Sequence, residues 1–487
     1  MSKYKSVLGL EIHAQIATKT KLFSRSLNTD EASPNQQVDY LDAGLPGTLP
    51  VANKAAIEMA LKTSLALNMK INDISIFDRK HYFYQDLPLG YQITQLYQPI
   101  GVQGYLDCSF GRVRINRLHI EADAGKSVYE GDSTLVDYNR AGVPLMEIVT
   151  EPDFSSAVEV VEFIKELRSI LLVLGTCHCN MECGNLRADV NLSIHEPGTP
   201  FGNRVEIKNL NSFRFIAKAI EYEEEVQRKT LENGQKVKQQ TKLFDSKLGV
   251  TKATRDKEDA VDYRYFPDPD LLPVKLELSH IEEVRENLPK LPQEIRREYA
   301  EFGIAQKQAY TLTEHPLRIA FFAEIMKFLE SDSKAEDKVN LPELILSASN
   351  WVCSELIGKL GRANLDFEDF IAIRADFCEE FAKLIRKSEI DGLSRINAKE
   401  ILDVLIAGPA NVDEIISQNG YLKKVDSSEI DSIISSVLTN SPAEVAKYKA
   451  GKTQLLMYFV GNVMKETKGK ADPEKVKELI VLALENL

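Results

Sequence analysis

The chain has 487 residues, 44% of them hydrophobic and 27% charged, with a net charge of −13. This length supports two or three soluble domains, and the acidic balance excludes a protein that coats nucleic acid through bulk charge while leaving a local basic patch open. No run of about 18 apolar residues is present and no signal peptide is apparent, and six mostly scattered cysteines point to a reducing compartment, cytoplasmic or an organellar matrix, rather than a disulfide scaffold.

The first predicted element is a strand over Val7–Ile16. Leu8, Leu10, Ile12, Ala14 and Ile16 alternate with Gly9, Glu11, His13 and Gln15, so one face is buried and Glu11 and His13 stand side by side on the other. A carboxylate and an imidazole so placed can share one metal ion or one proton. The plain alternative is a half-wet antiparallel strand. An amphipathic helix follows over Ala55–Leu67, after Pro50. Asp78-Arg79-Lys80-His81-Tyr82-Phe83-Tyr84 sets cations beside aromatic rings, which suits phosphates and a stacked base, or else a buried aromatic strand with snorkelling ends.

A strand at Arg117–Glu121 places Arg117, His119 and Glu121 on one side. Ala124-Gly125-Lys126-Ser127 has the tail of a P-loop, but Ile120 stands where the upstream glycine is required. Any use of ATP is therefore expected on a sheet surface with a carboxylate-held Mg²⁺. A second helix is predicted over Ser155–Leu174, with Val158, Val161, Ile164, Leu167, Leu171 and Leu174 as its stripe. Cys177-His178-Cys179 and Cys183 lack the paired C-x₂-C knuckles of structural zinc sites. Two more polar-faced strands follow: Arg187, Asp189, Asn191, Ser193 and His195 alternate with apolar residues, then Val205–Leu210 leads to Asn211. Four such faces in one domain favour a shared polar cleft over four solvated surfaces.

Leu288-Pro289-Lys290-Leu291-Pro292 breaks the chain. Beyond Pro292 helical periodicity dominates. The reading is an α+β domain, 1–292, then an all-helical half divided into 293–395 and 396–487. Ser441-Pro442-Ala443-Glu444 has an N-cap, a proline at N1 and a capping-box glutamate. Asp472-Pro473 opens a last helix through Leu484. Six lysines against Glu466 alone lie between Val445 and Lys470, near a helix flanked by Gly451 and Gly461. They suit a phosphate backbone, or simply a solvated helix surface. The chain carries no Gly-x-Ser-x-Gly elbow and no Ser-x-x-Lys in a glycine-rich setting, so acyl-enzyme chemistry is not favoured.

Taken in order, these segments resemble the B subunits of the aspartyl/glutamyl-tRNA amidotransferases. The resemblance rests on Gly9–His13, Gly44–Pro50, Phe77–Lys80 with Tyr82–Tyr84, Arg117–Ser127, Pro144–Asp153, Glu206–Phe213 and Asp262–Asp270. In the tail, Tyr448–Lys452 and Val460–Lys465 fit as well. It implies an antiparallel-sheet cradle similar to glutamine synthetase and a helical tail that touches tRNA. It also implies a heterotrimer with an amidase A subunit and a small C subunit, and ATP with Mg²⁺. The expected reaction phosphorylates the side-chain carboxylate of misacylated Glu-tRNA(Gln) or Asp-tRNA(Asn), then lets ammonia displace phosphate. By position, the resemblance implies metal ligands at Glu11, His13 and Glu147, with Glu121 next to another such position. It implies catalytic roles for Glu11, His13, Lys80, Arg117 and Glu121. Arg79, Lys126 and Arg187 join Lys80, Arg117 and Lys208 as contacts to phosphate or carboxylate. Tyr82, Ser127, Asp189, Asn209 and Asn211 complete the nucleotide-binding set, and Lys447, Lys449, Lys452, Lys465 and Lys468 are the tRNA contacts. The chain departs from the family pattern at Ala122, where a second glutamate is usual, and at Leu89, Cys183, Asn185 and Ala188. Loss of a carboxylate at 122 is expected to weaken Mg²⁺ binding unless Glu121 rotates in, and the alternative is a weakened subunit that acts mainly as a tRNA scaffold.

Overall fold

The computed structural model describes residues 3–29, 31–256, 262–332, 339–422, 427–450, 452–467, 471 and 473–486. They form two compact units, Met1–Pro292 and Gln293–Leu487. In chain order the strands of the first unit begin with β1 (Lys5–Gln15), β2 (Lys70–Ile71), β3 (Ile74–Ser75), β4 (Asp78–His81), β5 (Tyr91–Thr94), β6 (Gly101–Cys108), β7 (Gly111–Ala122) and β8 (Lys126–Glu130). They continue with β9 (Ser133–Asp137), β10 (Pro144–Thr150), β11 (Leu186–His195), β12 (Val205–Lys208), β13 (Gln240–Asp245), β14 (Val250–Asp256), β15 (Phe266–Pro267) and β16 (Val274–Lys275).

Nine of these strands make one sheet in the order β14-β13-β12-β11-β1-β10-β7-β6-β2. Its pairs are antiparallel except β12 with β13, which is parallel. The sheet is thus mixed where the family resemblance implies an antiparallel one. The connection between these two strands runs through α3 (Phe213–Glu232), which makes the parallel pairing possible.

The period-2 pattern determines which face is which. Leu8, Leu10, Ile12 and Ala14 of β1 are buried, as are Leu118 and Ile120, Met146 and Ile148, and Ala188, Val190 and Leu192 on neighbouring strands. They share one core with α1 (Lys54–Ala66), α2 (Ala157–Leu174) and α3. Asn53 caps α1 by accepting from the Ala55 N–H. Ser156 caps α2 by accepting from the Glu159 N–H, and the Glu159 carboxylate accepts in turn from the Ser155 N–H at 2.6 Å. Gly175 ends α2 at φ +66, where a left-handed cap favours glycine. The buried stripe of α2 is rotated from the one its spacing suggests. Val158 is 76% exposed, and Val160, Phe163 and Ile170 join Ile164, Leu167 and Leu171 in the core. Two apolar residues at 160 and 163 pull the face round, and truncating Phe163 to alanine costs about 3–5 kcal/mol.

The second unit is helical among the described residues, opening with Pro292–Glu301. One apolar core gathers residues from Ile295 to Ile416, and a separate one gathers residues from Ile430 to Leu484. Pro442 stands at N1 of the Pro442–Lys449 helix, but the Ser441 hydroxyl makes no cap bond. Gly461 lies inside the Leu456–Glu466 helix rather than at its flank, and Gly451 and Asp472 lie outside the described residues. The last helix, Pro473–Asn486, runs two residues past Leu484. No helix among the described residues is long and apolar enough to cross a membrane.

Candidate active site

The polar face of the nine-stranded sheet is organised by its register. His13 lies opposite Arg187 on one side and Glu147 on the other, and Glu147 lies opposite His119. Arg187, His13, Glu147 and His119 therefore form a row across four adjacent strands, about 4.8 Å apart from strand to strand. One step along, Asp189 is opposite Glu11, Glu11 opposite Val149, and Val149 opposite Arg117. On the far side of the first row, Glu121 is opposite Leu145. Because opposed residues in an antiparallel pair share a face, the side chains of β1 meet those of strands more than a hundred residues further along the chain.

The four groups at the centre touch. His13 Nε2 is 3.5 Å from Glu147 and 3.6 Å from Glu121, and His119 Nε2 is 3.2 Å from Glu147 and 3.8 Å from Glu121. All four are partly or fully buried. Burial pulls the His13 imidazole down, but Glu147, hydrogen-bonded to it, and the charges of Glu121 and Asp189 outweigh this and raise it to about 9. Burial likewise pulls His119 down, but the charges of Glu147 and Glu121 and its hydrogen bonds to both raise it. Burial opposes ionisation of both carboxylates, yet the two histidines hold Glu121 below its usual range and Glu147 well below it. The donor atoms of His13, Glu121 and Glu147 lie within 4.8 Å of one another. Two carboxylate oxygens and one imidazole fit a divalent cation whose remaining positions go to water or phosphate.

Glu11 stands one row away from this trio, and its carboxylate accepts from the Asn191 amide at 3.0 Å. Ala122, by strand alternation, faces away from the cluster. It packs against the apolar core and its carbonyl accepts from Gln92 at 2.9 Å. Glu121 already points at the histidines without rotation, so the missing glutamate at 122 removes nothing from the trio.

Beside the cluster opens a cleft of about 580 Å³ lined by Arg140, Arg187, Asp189, Lys208, Asn209 and Asn211 among others. Its cations rest on acids: Arg187 on Asp123 at 2.9 Å, Arg140 on Asp123 at 3.4 Å, Lys208 on Asp189 at 2.7 Å and Glu206 at 2.9 Å. Burial opposes the Lys208 charge, but Asp189 and Glu206 outweigh it and keep the ammonium protonated beyond its ordinary range. Arg117 Nε, Arg187 Nε and His119 Nδ1 are buried without a hydrogen-bond partner among the described residues. Asn209 takes φ +66, and its amide donates to the Phe244 carbonyl at 3.3 Å.

The remaining expected residues do not line the cleft. Arg79 is held by Asp268 and Asp270 at 2.8 Å and covers the Tyr91 ring at 4.2 Å, so it braces β4 against the 268–270 turn. Lys80 lies over the rings of Tyr82 and Tyr263. Lys126 and Ser127 sit on the β8–β9 hairpin and do not line the cleft. A strand rather than a helix follows Gly125, so no P-loop forms. Gly125 is needed there because a Cβ would lie 2.9 Å from the Asp137 carbonyl. Cys177 donates to the Asn185 carbonyl and accepts from the Cys179 N–H, and Cys183 is exposed, an arrangement without a metal-ligand cluster among the described residues. Lys447, Lys449, Lys452 and Lys465 are all exposed, and Lys468 lies outside the described residues. Asp123 and Arg140 are cleft residues that the sequence did not single out. Both sit in or next to loops, where no periodicity marks them.

Residues 6–282 match the GatB/GatE catalytic domain, and residues 340–484 match the GatB domain. The chain belongs to the GatB family. Among its relatives are proteins named as the B subunit of aspartyl/glutamyl-tRNA(Asn/Gln) amidotransferase. That of Rickettsia felis is 43% identical over 486 residues, covering 98% of this chain and 97% of the relative. That of Persephonella marina is 43% identical over 484 residues, covering 98% and 99%. That of Wolbachia pipientis is 44% identical over 478 residues, covering 97% of each. The row on the sheet face and the whole of the cleft fall inside the matched catalytic domain.

Proposed function

We propose that this chain is the carboxylate-activating subunit of a tRNA-dependent amidotransferase. It works with an amidase subunit that supplies ammonia and a small subunit that joins the two. The substrate is Glu-tRNA(Gln), Asp-tRNA(Asn) or both. The observation that carries this reading is the registered row of His13, Glu147 and His119 with Glu121, buried on the sheet face beside a cation-lined cleft.

A carboxylate resists attack by ammonia because its leaving group is an oxide. Transfer of the γ-phosphoryl group of ATP to a side-chain oxygen, with ADP leaving, turns that oxygen into part of a phosphate leaving group. Ammonia then attacks the carbonyl carbon, the C–O bond breaks, phosphate departs and a proton is lost from nitrogen. His13, Glu121 and Glu147 would hold the divalent cation, which when bound neutralises phosphate charge and acts as a Lewis acid. His119, behind Glu147 and Glu121, fixes the direction of their carboxylates. Arg187 and Lys208, already in the cleft, exchange acidic partners for the anionic groups of the substrates, and the buried Nε of Arg117 and Arg187 donate without displacing a bond. The cations and carboxylates gathered at the cluster and cleft, and the placement of Ala122 on the core side, favour an active subunit over a scaffold.

The complex co-expressed with its amidase and small subunits tests this. With glutamine, ATP and Mg²⁺, it is expected to release ADP and form amide only when a charged tRNA is present, and the two tRNAs assayed separately define the substrate. Amide formation without ATP consumption, or no ADP release with either charged tRNA, overturns the reading.

A further inference from the structure

The chain between β1 and α1 forms neither helix nor strand among its described residues, and neither does Tyr138–Val143 between β9 and β10. Loops without a backbone ladder need other partners for their polar groups, and here a buried charge supplies them. Lys21 is fully buried, and its ammonium uses all its donors: to the Gln37 carbonyl at 2.6 Å, to Asp42 Oδ2 at 3.0 Å and to the Tyr138 carbonyl at 3.2 Å. Asp42 Oδ2 also accepts from the Ser24 hydroxyl and the Asp39 N–H, each at 3.0 Å. Burial disfavours the Lys21 ammonium, and Asp42 counters it. The pair ties both loops to one buried point, with a desolvation penalty that an uncharged pair of similar size avoids.

Gly142 connects this point to the cleft. It takes φ +82, and a Cβ there would lie 2.7 Å from Asp42 Oδ1. Its carbonyl accepts from the Leu22 N–H at 2.9 Å, and its own N–H donates to the Asp123 carbonyl at 2.9 Å. The Asp123 N–H donates in turn to the Val143 carbonyl at 2.8 Å. Asp123 is the acid on which Arg187 and Arg140 rest, and Arg140 belongs to the same loop as Tyr138 and Gly142. The Arg140 guanidinium also donates to the carbonyls of Ala124 at 2.9 Å and Gly125 at 2.7 Å. A shift of the loop therefore moves Asp123 and both guanidiniums together. We propose that Lys21 and Asp42 are positioning residues: they fix the 138–143 loop so that Asp123 holds Arg140 and Arg187 in place for the phosphates of ATP. The inference rests on the proposed function and extends it to a pair that lines no part of the cleft.

The test uses the whole complex with charged tRNA, glutamine and Mg²⁺. Removing one partner strands a buried charge, so Lys21→Met/Asp42→Asn replaces both with uncharged side chains of similar size. KM for ATP is expected to rise about 10-fold, with kcat, KM for charged tRNA and the urea midpoint close to those of the wild type. Asp42→Asn alone, which keeps an acceptor for Ser24 and Asp39, is expected to raise KM for ATP less, and it carries the test if the double variant folds poorly. A double-mutant cycle with Asp123→Asn separates positioning from stability. Because the pair acts through Asp123, its removal from the Asp123→Asn protein is expected to add less than about 2-fold to KM for ATP. A merely structural pair would lower kcat through loss of active protein and act by the same factor in both backgrounds. A fall in kcat with unchanged KM for ATP, or an equal factor in both backgrounds, overturns the inference, as does a rise in KM for charged tRNA in place of ATP. If the wild-type complex shows no ATP-dependent amidation, the proposed function fails and this inference with it; if it does and KM for ATP is unmoved in the variants, only the positioning role fails.

Discussion

The polar face of the nine-stranded sheet and the lysine-bearing helices of the second unit both concentrate charge, but in opposite ways. On the sheet, His13, His119, Glu121 and Glu147 are withdrawn from water, and strand register holds each histidine within 3.8 Å of both carboxylates. On the Pro442–Lys449 and Leu456–Glu466 helices and the segment between them, Lys447, Lys449, Lys452 and Lys465 are exposed. Fixed, desolvated charge is what chemistry at one atom requires, because the groups need no reorganisation when the reaction occurs. Exposed charge on long stems suits a polyanion, whose affinity comes from released counterions and tolerates loose geometry.

That contrast can be broken or sharpened by substitution. The largest effect is expected at the cluster: Glu147→Gln or His13→Ala should lower ATP-dependent amidation by about 100-fold or more. Titration with Mn²⁺ should show the matching loss of divalent-cation affinity, and unchanged binding of Mn²⁺ would remove these residues from the cation site. His119→Asn, which keeps a polar group without the second carboxylate contact, should weaken Mn²⁺ binding by about 10-fold. Replacing Lys447, Lys449, Lys452 and Lys465 with alanine should leave KM for ATP unchanged and weaken tRNA binding. The slope of log affinity against log salt should fall by about 3, as measured by filter binding across a salt series.

A pH effect separates the two regions further. The folded protein holds the His13 imidazole at about 9, against 6.5 in an unfolded chain. A raised imidazole stabilises the fold fully below pH 6.5, and that contribution fades as pH rises through 9. Urea unfolding of the metal-free protein should therefore show a loss between those values, which His13→Gln reduces, leaving the share from the likewise raised His119, and which the lysine substitutions do not affect. The smallest effect is expected from Ala122→Glu. The side chain would enter the apolar side of β7, so stability should drop by about 1 kcal/mol with no gain in Mn²⁺ affinity or rate. A rate increase would show that position 122 reaches the cluster after all.

Much of the fold was legible because alternation is a local signal. Leu8 through Ile16 marked the buried face of β1, and His119 and Glu121 were assigned to one side of β7 by the same rule. The α2 stripe shows the limit: Val158 had the right spacing, yet the packing of Val160 and Phe163 placed it in water. The parallel pairing of β12 with β13 had no sequence mark, since pairing direction depends on how the chain returns through α3. Site residues on strands could be read, whereas Asp123 and Arg140, at or near a loop, could not. Arg79, Lys126 and Ser127 have the right chemistry, but the structure places Arg79 in a bracing ion pair and the other two on a separate hairpin.

By itself, the sequence determined the change from strand to helix near Pro292, the faces of the long strands and the long ordered motifs shared with the family, because these depend on neighbours a few residues apart. Only the tertiary structure decided that His13 meets Glu147 and Glu121, that Glu11 stands one row away beside Asn191, and that Ala122 turns toward the core. Those outcomes depend on inter-strand register, where a slip of one residue moves every side chain to the opposite face.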